Sequence, residues 1–215
     1  MLPSKYNDNS LFFQVIEDPR LVKTWRTKVI GNAVYPNLAL LNHSCNPSIL
    51  KVNRGSKVYA YACKNIRKGE EVSENYAPHF LQMARTNRIR WLSDHYRFYC
   101  DCTPCSKDYP MLSDIPPIGT RDIPCPKCGA SISGDSCSKC GYACDRGRLT
   151  EMVEGFVEKL RKEEKECDFT SGDVESSLLV AQTVLKNVCK IVNEPSRELA
   201  WIREVYYRFL PATGL

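Results

Sequence analysis

Two groups of closely spaced cysteines are the residues of this chain best suited to chemistry. One group forms two C-x2-C-G knuckles and contains Cys125, Cys128, Cys137 and Cys140. The glycine after each pair tolerates a tight turn, and four thiolates complete a closed zinc site. Because a closed site has no position for a substrate, we expect a structural zinc ion. The two knuckles are closer than in common zinc ribbons, and Cys144 could replace one ligand.

The other group, Cys100, Cys102 and Cys105, has the spacing C-x-C-x2-C. Three thiolates leave a tetrahedral zinc site one ligand short, so a fourth ligand must come from elsewhere in the chain. A secreted disulfide protein is the alternative interpretation, but it conflicts with the paired knuckles. The N-terminal residues also lack the basic, apolar and small-residue pattern of a signal peptide. We therefore expect reduced thiols and metal binding.

Three further motifs occur in a fixed order along the first half of the chain. They are N-H-S-C-N-P at residues 42–47, G-E-E-V at 69–72 followed by Tyr76, and Y-R-F-Y-C-D-C-T-P-C at 96–105. Together they resemble the C-terminal half of a SET domain with its post-SET segment, in the variant found in the SET and MYND (SMYD) lysine methyltransferases. The resemblance implies S-adenosylmethionine as cofactor, a histone or other protein lysine as substrate, and Cys45 as the fourth ligand of the first zinc ion.

The resemblance also assigns roles to residues around these motifs. Tyr76 matches the catalytic tyrosine, with its hydroxyl group beside the transferred methyl group. The implied cofactor contacts are Leu41, Asn42, His43, Tyr76, Tyr96 and Phe98. The predicted zinc ligands are Cys45, Cys100, Cys102 and Cys105 at one site and Cys125, Cys128, Cys137 and Cys140 at the other. Without the motifs, plainer interpretations apply. Tyr76 would be a half-buried tyrosine, Asn42 a turn residue and His43 a histidine hydrogen-bonded to its neighbours. Tyr96 and Phe98 would be core aromatic residues.

The pattern of elements predicts an α+β fold with a small antiparallel SET-type sheet. We expect a short helix from about Pro19 to Lys28, since Asp18 and Pro19 have the form of a helix start. Residues 49–52 and 57–63 are rich in strand formers and flank a turn, so they predict a hairpin. A loosely amphipathic helix is expected from Phe80 to about His95.

The C-terminal part of the chain predicts successive amphipathic helices. Apolar residues at helical spacing are Leu149, Met152, Val153, Phe156, Val157 and Leu160, and then Val174, Leu178, Ala181, Leu185, Val188 and Val192. A third helix is expected to begin near Pro195. This arrangement resembles the opening of the TPR-like domain of the SMYD family, although simple packing of helices is the plainer interpretation.

These features divide the chain into four predicted regions. They are a divergent N-terminal segment (1–30), a C-terminal SET half with post-SET segment (31–109), a cysteine-rich zinc insert (110–145) and a helical region (146–215). The composition, with 43% apolar and 26% charged residues, predicts a globular protein with a core. No apolar run is long enough to cross a bilayer, and the net charge of +5 is dispersed, so it does not indicate a nucleic-acid surface.

We therefore expect a cytoplasmic or nuclear protein-lysine methyltransferase that is incomplete in this chain. Residues 1–30 contain no Gly-x-Gly and no cysteine, whereas a complete SMYD protein has a glycine-containing cofactor turn and a zinc-binding MYND module upstream. For this reason we do not expect turnover from these residues alone. The alternative is a non-catalytic, zinc-stabilised protein-interaction module derived from a SET enzyme.

Overall fold

Two compact units make up the fold, one ending at Ser113 and the other beginning at Asp114. The fold is known from a computed structural model that describes residues 33–54, 56–167 and 174–212. Each unit contains one of the two groups of clustered cysteines. The helix predicted from about Pro19 to Lys28 lies outside the described residues.

The largest sheet element in the described part of the first unit is a hairpin. Strands β1 (Asn42–His43) and β4 (Ser73–Glu74) flank it in sequence, and β2 (Ile49–Arg54) and β3 (Lys57–Ala62) form it as an antiparallel pair. Both strands lie where strand-forming residues flank a short turn. The structure therefore confirms the predicted hairpin.

The other two strands of this unit differ from the prediction. β1 and β4 pair in parallel, with Asn42 opposite Ser73 and His43 opposite Glu74, whereas only antiparallel pairing was expected. The hairpin lies between them in sequence and provides the crossover connection that parallel strands require. Strands of two residues show no alternation of apolar and polar side chains, so the sequence pattern could not reveal this pair.

The described part of the first unit contains three short helices. They are α1 (Pro36–Ala39), α2 (Arg85–Tyr96) and α3 (Thr103–Ser106). Helix α2 starts five residues later than predicted. It ends at Tyr96 and is capped by Arg97, which has a left-handed φ of 62° and donates its backbone N–H to the carbonyl oxygen of Ser93 at 3.1 Å. This left-handed residue ends the helix and directs the chain into the C-x-C-x2-C segment.

The second unit begins with a small ribbon. A 3-10 turn at Leu112–Asp114 spans the end of the first unit and the start of the second. A further 3-10 turn, Ile118–Thr120, precedes the antiparallel strands β5 (Ile123–Pro124) and β6 (Ser131–Ile132). The Asp122 carboxylate accepts hydrogen bonds from the hydroxyl groups of Ser131 at 2.8 Å and of Ser133 at 3.0 Å. These bonds hold the two strands together beside the second group of cysteines.

Three helices in the described part of the second unit follow the ribbon and pack against one another. They are α4 (Arg146–Glu166), α5 (Val174–Val188) and α6 (Arg197–Ala212), as the apolar stripes predicted. Asp145 caps α4 by accepting the N–H of Arg148 at 2.9 Å. None of the described helices is both long and apolar enough to cross a bilayer. A relation of this region to TPR-like domains stays a prediction.

A buried acidic side chain on α6 makes the second unit sensitive to pH. Burial raises the pKa of the Glu204 carboxyl group to about 7, although Arg208 opposes this shift and Glu164 adds to it. Arg208 itself forms an ion pair with Glu164 on α4 at 2.6 Å. The raised pKa means that folding favours the protonated form, so this stability is present below about pH 4.5 and is lost as the pH rises through 7.

We therefore expect Glu204→Gln to stabilise the second unit at pH 8 by roughly 2–3 kcal/mol and to have no effect near pH 4.5. Hydrogen exchange of the α6 backbone amides measures this local stability. Glu158→Gln, at an exposed position of α4, is the matched control and should leave exchange unchanged at both pH values. Equal effects of Glu204→Gln at both pH values would contradict the prediction.

Candidate functional site

The first cysteine cluster brings together Cys45, Cys100, Cys102 and Cys105 in the core of the first unit. Their four sulfur atoms all lie within 4.8 Å of one another. The Cys45 Sγ is 3.6 Å from the Cys105 Sγ and 4.0 Å from the Cys100 Sγ. A tetrahedral zinc ion with Zn–S bonds of about 2.3 Å requires sulfur–sulfur separations of about 3.8 Å. The cluster therefore has the donor set and the spacing of a closed zinc site.

Distant parts of the chain build this cluster. Cys45 lies in the loop after β1 and is fully buried, and the other three cysteines follow α2. The backbone of Cys45 is itself bound on both sides: its N–H donates to the Cys102 Sγ at 3.4 Å, and its carbonyl oxygen accepts the N–H of Phe80 at 3.2 Å. The loop after β1 is thus attached to both the C-x-C-x2-C segment and the start of the α2 region.

Hydrogen bonds within the cluster distribute the protons unevenly. Those donated by Cys100 and Cys45 lower the pKa of the Cys102 thiol far below its usual range. The bond to Cys100 and the bond to Cys102 raise the pKa of Cys45 instead. Zinc binds thiolates, so uptake of the ion releases the protons that these thiols hold.

A buried arginine balances the charge of the first cluster. Arg88 on α2 is 0% exposed, and its Nη2 donates to the Cys105 Sγ at 3.6 Å. Its Nη1 donates to the carbonyl oxygens of Phe80, at 3.5 Å, and Met83. Although burial alone would lower the pKa of Arg88, hydrogen bonds to Cys105 and Cys45 raise it, so the guanidinium stays charged. Four thiolates and one Zn²⁺ carry a net charge of −2, which a buried cation partly offsets.

The second cysteine cluster consists of Cys125, Cys128, Cys137 and Cys140, whose sulfur atoms also lie within 4.8 Å of one another. The Sγ atoms of Cys125 and Cys140 are 3.7 Å apart, and those of Cys128 and Cys137 are 3.5 Å apart. Burial opposes ionisation of Cys137, but the N–H groups of Cys140 and Lys139 lower its pKa to about 6. This cluster therefore also fits a closed zinc site.

Both knuckles of the second cluster have the same backbone geometry. The N–H of Gly129 donates to the carbonyl oxygen of Cys125 at 2.9 Å, and the N–H of Gly141 donates to that of Cys137 at 2.8 Å. The two glycines have φ values of 72° and 68°, and a Cβ added to either would meet nothing within 4 Å. Glycine is favoured there by the left-handed backbone and not by lack of space. Cys144 is buried but does not belong to the group of four.

The residues predicted to bind the cofactor lie around Tyr76. The Tyr76 hydroxyl donates a hydrogen bond to the carbonyl oxygen of Leu41. The Tyr76 ring lies 4.9 Å from the ring of Tyr96, which is 47% exposed. The rings of Tyr76 and Phe98 lie 5.3 Å and 5.9 Å from the imidazole of His43. The fold thus brings residues from all three sequence motifs to one place.

Two carboxylates near this place are each engaged by a neighbouring side chain. The amide Nδ2 of Asn42 donates to the Glu71 Oε1 at 2.6 Å, and the Lys51 Nζ forms an ion pair with the Glu74 Oε2 at 2.7 Å. Burial, the Glu74 charge and Tyr96 all raise the pKa of Tyr76, so its phenol is neutral at physiological pH. The groups at this place are therefore the neutral phenols of Tyr76 and Tyr96, the carbonyl oxygen of Leu41 and the side-chain amide of Asn42.

Comparison with known proteins decides which family shares these motifs. The family model of the SET domain matches residues 4–77, which include the first two motifs and Tyr76. Human protein-lysine N-methyltransferase SMYD4 is 27% identical over 157 residues, and zebrafish (Danio rerio) N-lysine methyltransferase SMYD2-B is 35% identical over 97 residues. Mouse histone-lysine N-methyltransferase SMYD3 is 32% identical over 115 residues. The chain is a SMYD-like SET protein.

The matched segments cover different shares of the proteins. They span 70%, 45% and 52% of this SMYD-like protein when aligned with SMYD4, SMYD2-B and SMYD3 respectively. They span only 18%, 22% and 26% of those relatives. The chain therefore corresponds to about a quarter or less of the length of these curated relatives. The SET match starts at residue 4 and so includes most of the segment that was predicted to be divergent.

Sequence reasoning missed two residues of this SMYD-like site. Arg88 was assigned no role, although it lies four residues before Leu92 and so falls on the buried stripe of α2. That position was the available signal. Glu71, the partner of Asn42, had no comparable signal, because the side chains meet only through the parallel pairing of β1 and β4.

We expect the purified SMYD-like protein to contain two zinc ions per chain. Cys45→Ser and Cys137→Ser should each reduce this number to one, since each removes a ligand from a different closed site. Cys144→Ser should leave both ions and is the matched control for a buried cysteine outside the clusters. Elemental analysis by mass spectrometry measures the stoichiometry. Loss of one ion in Cys144→Ser, with no loss in Cys137→Ser, would show that Cys144 is the ligand.

Removing the charge of Arg88 should weaken only the first zinc site. We expect Arg88→Met to accelerate zinc release from this site by about tenfold, as loss of a group that hydrogen-bonds a metal ligand does elsewhere. In the cadmium-substituted protein, ¹¹³Cd NMR distinguishes the clusters, and only one of the two signals should shift. Arg85→Met, at an exposed position of the same helix, should shift neither. Equal shifts of both signals in Arg88→Met would contradict a local role.

Proposed function

We propose that this protein is a protein-lysine methyltransferase of the SMYD type, which uses S-adenosylmethionine and acts on a lysine of a histone or other protein in the cytoplasm or nucleus. The observation that carries the proposal is the meeting of the Tyr76 hydroxyl, the Leu41 carbonyl oxygen and the exposed ring of Tyr96 beside the first cysteine cluster. The names of the curated relatives, which are lysine methyltransferases, support the same reaction.

The chemistry of these groups fits a sulfonium cofactor. The methyl group of S-adenosylmethionine is electrophilic because it is bonded to a positively charged sulfur. Aromatic faces such as those of Tyr76 and Tyr96 attract a cation, and the carbonyl oxygen of Leu41 adds a negative dipole. The Nδ2 group of Asn42 donates a hydrogen bond to Glu71, and this bond orients the amide. The Asn42 Oδ1 is then left to accept a hydrogen bond from the ammonium group of S-adenosylmethionine. Tyr96 and Phe98 would enclose the cofactor from the post-SET side.

The protein side chains align the reactants and contribute little acid–base chemistry. Glu71 and Glu74 are engaged by Asn42 and Lys51, and the neutral Tyr76 phenol is a poor base at physiological pH. The lysine amine therefore has to lose its proton before transfer, and the site contributes orientation and exclusion of water. Through its hydrogen bond to the Leu41 carbonyl, Tyr76 would keep its own hydroxyl oxygen and that carbonyl oxygen in fixed positions.

Calorimetric titration of S-adenosylmethionine into the zinc-loaded protein tests this proposal. We expect saturable binding at one site per chain. Asn42→Ala should weaken the binding by about tenfold or more, because it removes the oriented amide and leaves Glu71 without its donor. Tyr76→Phe keeps the ring and should change the affinity only severalfold. Tyr99→Phe, at a position that is 78% exposed, is the matched control and should bind like the wild type.

Two outcomes would contradict the proposal. Absence of binding in a folded sample with both zinc ions would exclude a cofactor site in this chain and would favour the non-catalytic interaction module. Binding that Asn42→Ala and Tyr99→Phe affect equally would place the cofactor elsewhere. Circular dichroism and the zinc content of each variant separate loss of binding from loss of folding.

A further inference from the structure

The imidazole of His43 bridges Tyr76 and the first cysteine cluster. Its Nδ1 accepts the backbone N–H of Tyr76 at 2.9 Å. Its Nε2 lies 3.3 Å from the Sγ of Cys45. One ring therefore contacts the backbone of the proposed catalytic residue on one side and a proposed zinc ligand on the other.

The hydrogen bond from Tyr76 fixes the tautomer of this histidine. A nitrogen that accepts an N–H cannot carry a proton of its own in the same direction, so Nδ1 is unprotonated. In a neutral imidazole the proton then lies on Nε2, where it points at the Cys45 Sγ. A thiolate bound to zinc is a good acceptor for such an N–H, and bonds of this kind orient metal ligands.

Neighbouring backbone contacts hold both ends of the bridge. His43 belongs to β1 and pairs with Glu74 of β4, and the next residue, Ser44, donates its N–H to the Glu74 carbonyl oxygen at 2.8 Å. The Asn75 Nδ2 donates to the Ser44 carbonyl oxygen at 3.3 Å. The chain leading to Tyr76 is thus attached to the chain leading to Cys45, and the His43 ring fills the space between them.

We propose that His43 is a positioning residue that couples the geometry of the first zinc site to Tyr76 through its Nδ1-acceptor, Nε2-donor tautomer. The consequence for methyl transfer rests on the proposed function. The bridge itself does not, because both of its hydrogen bonds lie within this chain. Zinc bound by Cys45 would hold the imidazole, and the imidazole would hold the backbone of Tyr76 next to the Leu41 carbonyl oxygen.

Nitrogen NMR of the zinc-loaded full chain, labelled with ¹⁵N-histidine, tests the tautomer directly. The chain has three histidines, and the signals of His43 are those missing from His43→Asn. We expect one protonated nitrogen, Nε2, and one unprotonated nitrogen, Nδ1. A proton on Nδ1, or the averaged signals of a histidine in rapid tautomeric exchange, would overturn the proposal. The measurement is made on the wild-type protein, and variants are needed only to assign the signals. If His43→Asn does not fold, His79→Asn and His95→Asn assign the other two histidines and so identify His43 by elimination.

Two substitutions separate the two halves of the bridge. The amide of His43→Asn can reach the position of Nδ1 and accept from Tyr76 but cannot reach Cys45. The amide of His43→Gln can reach the position of Nε2 and donate to Cys45 but does not replace Nδ1. We expect His43→Asn to accelerate zinc release from the first site by about tenfold and His43→Gln to accelerate it less than threefold. Hydrogen exchange of the Tyr76 amide should show the opposite order, with larger loss of protection in His43→Gln.

The exposed histidine of α2 provides the control. His95→Asn should change neither zinc release nor exchange at Tyr76. If His43→Asn and His43→Gln match this control in both measurements, or if both variants alter both measurements equally, the proposed coupling is wrong. Neither readout requires S-adenosylmethionine. A bridge that passes these tests in a protein that does not bind the cofactor would therefore overturn the proposed function and leave the positioning role of His43 intact.

Discussion

The requirement that four cysteines meet in one core governs the described part of the first unit. Among the described residues of this unit the sheets are two pairs of short strands, which cannot by themselves enclose a core. The buried residues of the core cluster are instead Cys45, Ala77, Phe80, Leu92, Cys100 and Cys105, of which half are cysteines. Thiolates repel one another, whereas a metal ion bound to all four attracts each of them. Metal binding and folding of this unit are therefore expected to be coupled.

The two clusters bring their four thiols together in different ways, and the difference separates their structural roles. In the second cluster the ligands lie within 15 residues, and each knuckle repeats the same local turn with its glycine. In the first cluster Cys45 is 55 to 60 residues from Cys100 and Cys105, so closing the site joins the loop after β1 to the segment around α3. The second cluster stabilises a local ribbon, whereas the first determines where the β1 loop, α2 and Tyr76 lie.

Local chemistry could be predicted from the sequence, and contacts between distant segments mostly could not. Spacing alone identified the knuckles, the hairpin and helices α4 to α6, because each has a periodic or turn signal within a few residues. The parallel pairing of β1 with β4 has no such signal, and the Asn42–Glu71 contact depends on it. Arg88 could be predicted only in part. A charged residue at an apolar position of a helix suggests a buried anionic partner, but the sequence does not show that this partner is a cysteine sulfur.

The charge around the first cluster connects metal binding to the proposed methyl transfer. Four thiolates with one zinc ion would form an anion, and Arg88 would offset it with a positive charge at Cys105 and the His43 N–H with a positive dipole at Cys45. His43 transmits that order to the backbone of Tyr76, whose hydroxyl holds the Leu41 carbonyl oxygen. Transfer of a methyl group by in-line displacement depends chiefly on the alignment of the reacting atoms. A small displacement of Tyr76 would therefore lower the rate of transfer by more than the free energy of one lost hydrogen bond suggests. A structural metal site can in this way determine the precision of a reaction in which it takes no chemical part.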